Sequence, residues 1–378
     1  MSLFMTEGGK LLPNSMFIVA IVVALTGCVS RPTADVLKPV TLKTDQQKKV
    51  SILAVTNRDL VAKDASFGNR WAGSTSYDQF SFSVPAKRDG PNIQYASKNP
   101  DPNRQYIVTG RERLTKTSLV QMATSTAQFD GTAAVFVHGY NYSYQEALFR
   151  TAQMAADSGS FGAPIMFSWP SAASVTGYVA DRDAVLYSRT ELGSLLETLA
   201  AAPKVKRIIL FGHSMGGFLS MEAARQLRLE GRSNVLAKLQ IVLAAPDIDV
   251  DVFRSQIRDV GAIPTPITLL VSNSDQALSF SSFVGGERPR VGSLDVNDPV
   301  IQQAAKAERI RVIDISALKS SDGLGHDRYA SLAQFAGNID KAEARMRSSG
   351  SNIGAFVFDA AGAAVASPFR LAGQIARQ

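Results

Sequence analysis

The amino-acid sequence predicts an α/β fold: a mostly parallel central sheet flanked by helices on both faces. Three observations predict it. Short, almost wholly apolar runs recur at Thr132–Val137, Pro164–Phe167, Arg207–Phe211, Leu239–Leu243, Ile267–Val271 and Ile310–Ile315. Segments of helical spacing lie among them, at Tyr144–Ala156, Asp183–Ala201 and Met215–Leu229. No internal repeat breaks the alternation, and 45% hydrophobic with 19% charged residues describes a packed globular chain, too apolar for disorder. A strand that is apolar throughout is buried on both faces, the condition of a parallel sheet covered by helices and joined by right-handed crossovers.

In chain order, the first feature is Met16–Leu25, MFIVAIVVAL, an apolar run of the length of a secretory h-region and too short to span a bilayer as a mature helix. It runs into Leu25-Thr26-Gly27-Cys28. This segment resembles a bacterial lipoprotein signal, which implies cleavage before Cys28, lipidation of Cys28 and a mature chain held on the periplasmic side of an envelope membrane. The upstream charge is weak for such a signal, since Glu7 cancels Lys10. Cys28 is the only cysteine, so no internal disulfide supports the fold. Residues 1–27 are thus expected to be the signal and 28–49, polar and aperiodic with two prolines, a tether.

Val50–Val55 reads as the first strand of a domain covering 50–347. Thr56–Thr117, rich in Gly, Pro, Asn and Ser, reads as irregular strands and loops with strands at Phe80–Val84 and Gln105–Thr109. Residues 348–378 form a tail, of which Ile353–Phe369 is rich in Ala, Gly and Phe. The net charge of +7 is scattered rather than gathered on an aromatic-flanked helix, so it describes a basic surface and not a nucleic-acid site.

Ligands bind beyond the carboxyl ends of the strands of an open parallel sheet. Ser214 lies there, in Gly212-His213-Ser214-Met215-Gly216. The bare Gly-x-Ser-x-Gly pattern is a weak signal. Its setting is specific: Ile208–Phe211 precedes it and Gly217–Leu229 continues as an amphipathic helix, the strand–turn–helix of a nucleophile elbow. A serine hydroxyl needs a base, and the chain has three histidines. His213 adjoins the serine within the turn and reads as structural. His138, in His138-Gly139-Tyr140-Asn141, precedes the serine, against the order nucleophile, acid, base. His326, in Gly323-Leu324-Gly325-His326-Asp327 after the Ile310–Ile315 strand, is the expected base.

The acid is expected at Asp275, after the Ile267–Val271 strand, with Asp247 after the preceding strand as the alternative. Asp249 and Asp251 read as solvated helix-start residues. The oxyanion hole is expected from the N–H of Met215 and one from the loop after Thr132–Val137, Tyr140 first and Asn141 second.

With these residues in place, the chain resembles the α/β-hydrolase superfamily, and within it a bacterial group of uncharacterised esterase/lipase-like proteins. The resemblance rests on Ala54-Val55-Thr56-Asn57-Arg58, Phe136-Val137-His138-Gly139-Tyr140-Asn141, Phe167-Ser168-Trp169-Pro170-Ser171, the Ser214 motif and Ala244-Ala245-Pro246-Asp247. It covers about residues 50 to 340. It implies the fold and the roles of Ser214, Asp275 and His326, but no substrate. The resulting expectation is a serine-dependent carboxylic ester hydrolase acting on a small-molecule or lipid ester, with no cofactor, no metal and no nucleic-acid partner. Two alternatives stand beside it: a non-catalytic envelope scaffold, and an acyltransferase or amidase using the same triad.

Overall fold

A computed structural model of the protein describes residues 31–43, 47–61, 66–88, 90–125, 129–158 and 162–332, with the backbone of 357–359. The signal-like segment, Cys28 and nearly all of the tail lie outside the described residues. From Thr33 onward the described residues belong to one compact unit.

Three strands open the domain: β1 (Lys48–Val61), β2 (Ser66–Val84) and β3 (Ile107–Leu114), followed by helix α1 (Lys116–Ser125). The alternating part comes next, as β4 (Thr132–Val137), α2 (Tyr144–Ser158), β5 (Ala163–Ser168), α3 (Tyr178–Ala201), β6 (Arg207–His213) and α4 (Met215–Leu229). A short α5 (Ser233–Leu236) leads to β7 (Leu239–Ala244), α6 (Val250–Val260), β8 (Thr268–Val271), α7 (Gln276–Val284), α8 (Pro299–Ala307) and β9 (Arg311–Asp314). The last elements are α9 (Tyr329–Leu332) and β10 (Val357–Asp359).

All ten strands form one sheet in the order β10-β9-β8-β7-β6-β4-β5-β1-β2-β3. From β10 to β1 every neighbouring pair is parallel, and β1–β2 and β2–β3 are antiparallel. Alternate side chains sort to opposite faces, as a pleated strand requires. Val135 and Val137 of β4, Ile165 and Phe167 of β5 and Leu210 of β6 join the core beneath α3 and α4. Their neighbours Met166, Phe136 and Phe211 serve the other face, Met166 with α2 residues such as Leu148 and Phe149, and Phe136 and Phe211 with Tyr329. The apolar runs are therefore apolar throughout because both faces are covered. The strand order turns about β4, with β5 on one side and β6 on the other, which makes the carboxyl ends of β4 and β6 the topological switch point where ligands bind.

The structure corrects several expected boundaries. Thr56–Thr117 is not mainly irregular: β1 and β2 form a long hairpin that continues past Thr56, where the pairing of β1 with β5 ends. That hairpin has register shifts on both sides of Arg58. Part of the expected tether belongs to the folded unit, since Ala34–Leu37 is a turn of 3₁₀ helix with Val36 and Leu37 buried and packs against β3 and α2. Helix α3 begins at Tyr178 rather than Asp183. The strand at Arg311–Asp314 is not the last, because β10 pairs parallel with it. Among the described residues, no helix is long and apolar enough to cross a membrane.

Candidate active site

Ser214 forms the turn between β6 and α4 with φ 54° and ψ −122°, a conformation that side chains rarely adopt. The surroundings enforce it. A Cβ at Gly216 would overlap the carbonyl oxygens of Val137 and His138, so only glycine lets α4 start this close to the end of β4. The Ser214 N–H donates to Ala244 O at 2.9 Å, and Ser214 O accepts from Gly217 N at 2.9 Å and Asp247 N at 3.3 Å. The serine is 3% exposed.

His326 and Asp275 meet over the carboxyl ends of β8 and β9: His326 Nδ1 lies 2.7 Å from Asp275 Oδ2. The two carboxylate oxygens divide their work, because Asp275 Oδ1 caps α7 by accepting from Leu278 N at 3.0 Å. Burial opposes a charge on the imidazole, yet the carboxylate of Asp275 and its hydrogen bond, helped by Asp322 and Asp247, raise the His326 pKa to about 9. The His326 side chain keeps 14% of its surface exposed, against none for that of Asp275. The base loop is held from within by Asp322 Oδ1, which accepts from the N–H groups of Leu324, Gly325 and His326 at 2.9–3.2 Å. It is held from without by Asp327, which pairs with Arg150 of α2 at 2.9 Å.

His213 is bound to the same loop. Its Nε2–H donates to His326 O at 3.2 Å, its ring lies against His326 and Tyr329, and its buried Nδ1 has no partner among the described residues. Burial and the neighbouring His326 hold its pKa well below the ordinary value, so it stays neutral. The structure separates the two candidate acids: Asp247 does not touch His326. It accepts from Tyr178 Oη at 2.9 Å and Ser281 Oγ at 2.8 Å, and it pairs with Arg290 at 3.3 Å.

The loop after β4 passes directly over Ser214. A Cβ on Gly139 would stand 2.9 Å from Ser214 Cβ and 2.8 Å from His213 Nδ1. Asn141, the second residue considered for the other oxyanion donor, gives its N–H to Asp181 Oδ2 at 3.2 Å. The Tyr140 hydroxyl donates to Val175 O. On the other side, Met215 opens α4, where the N–H groups of the first turn have no partner inside the helix. Asp249 departs from the solvated reading: it is buried, caps α6 through Asp251 N and Val252 N, and pairs with Arg288. That pairing with Arg288 and the capping bonds lower its pKa to about 2.

Two buried arginines that sequence reasoning missed brace the loops. Arg150 donates to Pro91 O at 2.9 Å and to Gln153 at 2.7 Å besides binding Asp327. Arg58, fully buried, donates to Ser168 Oγ at 2.9 Å, Gly68 O at 3.0 Å, Asn69 Oδ1 at 3.1 Å, Ser171 O at 3.2 Å and Tyr142 O at 2.8 Å. The only available signal was that Thr56-Asn57-Arg58 and Ser168–Ser171 stood out as motifs without a task. Among the described residues, no group of three or more His, Cys, Asp or Glu is placed to hold a metal ion.

None of the curated proteins matches the chain. Among solved structures it is similar to a protein from Thermoplasma acidophilum described as a predicted CIB-like hydrolase, at 14% identity and a TM-score of 0.33, over 62% of this chain and 90% of that one. It is also similar to a lipase-esterase related protein from Clostridium acetobutylicum, at 12% identity and a TM-score of 0.25, over 66% and 95% of the two chains. Superpositions this loose add nothing to the assignment. The family evidence is the match of residues 115–342, which include Ser214, Asp275 and His326, to the model of a single family. The chain belongs to that family, the alpha/beta hydrolases of unknown function designated DUF900.

Proposed function

We propose that the protein is a serine-dependent carboxylic ester hydrolase working through an acyl-enzyme on Ser214. The observation that carries this reading is the contact of His326 Nδ1 with Asp275 Oδ2 at 2.7 Å, together with a serine on a strained elbow at the switch point of the sheet. Asp275 fixes the tautomer of His326, leaving Nε2 to take the proton of Ser214 Oγ as the oxygen attacks the ester carbonyl. The bond from Oγ to His326 has to close when substrate binds, as such bonds often do. Negative charge developing on the carbonyl oxygen falls between the N–H groups of Met215 and Tyr140 at the start of α4. His326 then protonates the leaving alkoxide, and water attacks the acyl-enzyme by the same route in reverse.

A fluorophosphonate probe tests the nucleophile. The wild type should be labelled and Ser214→Ala should not; an unlabelled wild type, or equal labelling of both, removes the reading. A panel of matched ester, thioester and amide substrates then fixes the leaving group, with the ester turned over fastest. The address is proposed from sequence: Cys28 carries lipid and holds the enzyme on the periplasmic side of a bacterial envelope membrane. Cys28→Ala should leave the membrane fraction and lose the lipid mass, and unchanged fractionation would remove that assignment.

A further inference from the structure

We propose that Arg58, acting through His138, is a positioning residue that sets the orientation of the Gly139–Tyr140 peptide and so aims the Tyr140 N–H at the oxyanion. The proposal rests on the serine-hydrolase reading above and adds to it a device in the β1–β2 hairpin.

The argument starts with the proton on His138. This histidine is wholly buried, and its ring lies stacked on Trp169, 4.9 Å between centroids. Nδ1 is 2.9 Å from Gly139 O, an acceptor. Nε2 faces Arg58 Nη2 at 3.4 Å and Ser168 Oγ at 3.2 Å. A guanidinium can only donate, and the Ser168 hydroxyl, which accepts from Arg58 Nε at 2.9 Å, has its own proton to offer to the imidazole. Trp169 O also lies 3.1 Å from Nε2 and keeps a second lone pair beyond the one taken by Ser171 N–H at 2.9 Å, but Gly139 O, the partner of Nδ1, can only accept, so a neutral ring that bonds at both nitrogens carries its proton on Nδ1. Two donors therefore converge on Nε2, and the proton resides on Nδ1, where it binds Gly139 O. Burial and the Arg58 charge bring the His138 pKa down to about 3, so this neutral form persists across the working range.

The consequence lies in the next peptide unit. In a trans peptide the carbonyl and the following N–H point in opposite directions. Fastening Gly139 O to the His138 ring therefore turns the Tyr140 N–H away from that ring. In the sheet β4 lies between β5 and β6; the His138 ring sits on the β5 side with Ser168 and Trp169, and Gly139 rests against Ser214 on the β6 side. The N–H is thus turned toward the nucleophile. Arg58 also fastens the far end of the same loop through Tyr142 O at 2.8 Å. It reaches both points because the register shifts around it lift the hairpin off the regular ladder.

The test combines a spectroscopic and a kinetic readout. In protein labelled with ¹⁵N-histidine, the His138 resonances should show a protonated Nδ1 and a bare Nε2 in the wild type, with Arg58→Met shifting that balance. On the alkaline plateau with p-nitrophenyl acetate, Arg58→Met should lower kcat by about 10- to 100-fold, part of the loss of a whole oxyanion donor, with KM changed less than about threefold. Arg58→Lys, which keeps the cation, should recover part of that loss. A protonated Nε2 in the wild type overturns the proposal, as does a folded Arg58→Met variant with wild-type kcat or a defect confined to KM. If Arg58→Met does not fold, Ser168→Ala decides: a several-fold fall in kcat supports the proposal and an unchanged kcat overturns it. Should the wild type prove inactive, the esterase reading falls, while the imidazole spectrum still accepts or rejects the Arg58–His138 arrangement.

Discussion

Replacing Asp275 by Asn removes one charge and little else. Asparagine caps a helix as well as aspartate does, so the bond to Leu278 N and the start of α7 survive. What changes is the electrostatics of His326. Its pKa rises from the ordinary 6.5 to about 9, and at 1.36 kcal/mol per tenfold the site favours the imidazolium by about 3 kcal/mol net of the burial that opposes it. In the proposed mechanism the imidazolium forms as Ser214 attacks, so losing this preference should cost about 300-fold in rate. If Asn also presents its amide N–H to Nδ1 and inverts the tautomer, the loss approaches about 10⁴-fold, the size known for this change in other triads.

The pH profile separates this electrostatic role from a merely structural one. His326 works as a base only when neutral, so kcat/KM of the wild type should climb with pH until about 9 and then level off. In Asp275→Asn the largest counter-charge is gone while burial remains and Asp322 and Asp247 still favour the imidazolium, so the midpoint should fall well below 9 and the alkaline rise should vanish. The assay is hydrolysis of p-nitrophenyl acetate across that range, with the non-enzymatic rate subtracted. A midpoint that stays near 9 in the variant, or a loss under about tenfold on the wild-type plateau, would refute the role given to Asp275.

Other expectations follow from the same geometry. Asp247→Asn should leave the alkaline rise in place yet lower stability by about 3 to 5 kcal/mol in chemical denaturation, because it strands the buried Arg290 charge; a midpoint shift as large as that of Asp275→Asn would make Asp247 the acid. Arg150→Met should destabilise by a similar amount, since Asp327 is left buried without its cation, and a variant as stable as the wild type would dismiss that ion pair as a brace. Gly216→Ala should cost about 3 kcal/mol or more through overlap with Val137 O and His138 O. Gly73→Ala, where an added Cβ meets nothing within 4 Å, should change stability by less than about 0.5 kcal/mol. Stability should depend on pH through His326 with a defined sign. Its folded pKa lies above the unfolded one, so its contribution is full below about 6.5 and is lost as pH rises through about 9. Wild-type melting temperature should therefore fall over the interval in which activity climbs, and Asp275→Asn should flatten both curves.

The parallel half of the fold was legible because its signal is local. Each of β4 to β9 is apolar on both faces, and the helices between them carry a 3.6-residue period. The elbow at Ser214 was legible for the same reason: a strand, a turn and a helix adjoin in sequence. The choice of base and acid rested on chain order, and in the structure His326 contacts Asp275 while Asp247 binds Tyr178. The hairpin beyond Thr56 was missed because residues 57–76 are polar and glycine-bearing, as loops are. What extends them is non-local: the buried fork of Arg58 and the stacking of Trp71 on Tyr187 at 4.4 Å. The first turn of α3 was missed because Tyr178 and Asp181 serve Asp247, Ser171 and Asn141 rather than an apolar stripe.

Arg58 and Arg150 were illegible on the same ground, and they share a design. The two loops that flank Ser214 carry carbonyls and carboxylates that no ladder of the sheet can satisfy, and each loop is closed from beneath by one guanidinium. Arg58 gathers oxygens from residues between 10 and 113 positions away, and Arg150 ties α2 to a loop 177 positions later. A fork of five donors in one plane suits that task, since it can fasten several oxygens at fixed angles from a single buried point. A lysine would deliver the charge but not the fork. Arg→Lys should therefore be costly at both positions and for different functional reasons. At Arg150 the loosened element is the base loop, so the pH midpoint set by His326 and Asp275 should move. At Arg58 the loosened element is the oxyanion loop, so kcat should fall while that midpoint stays where it was.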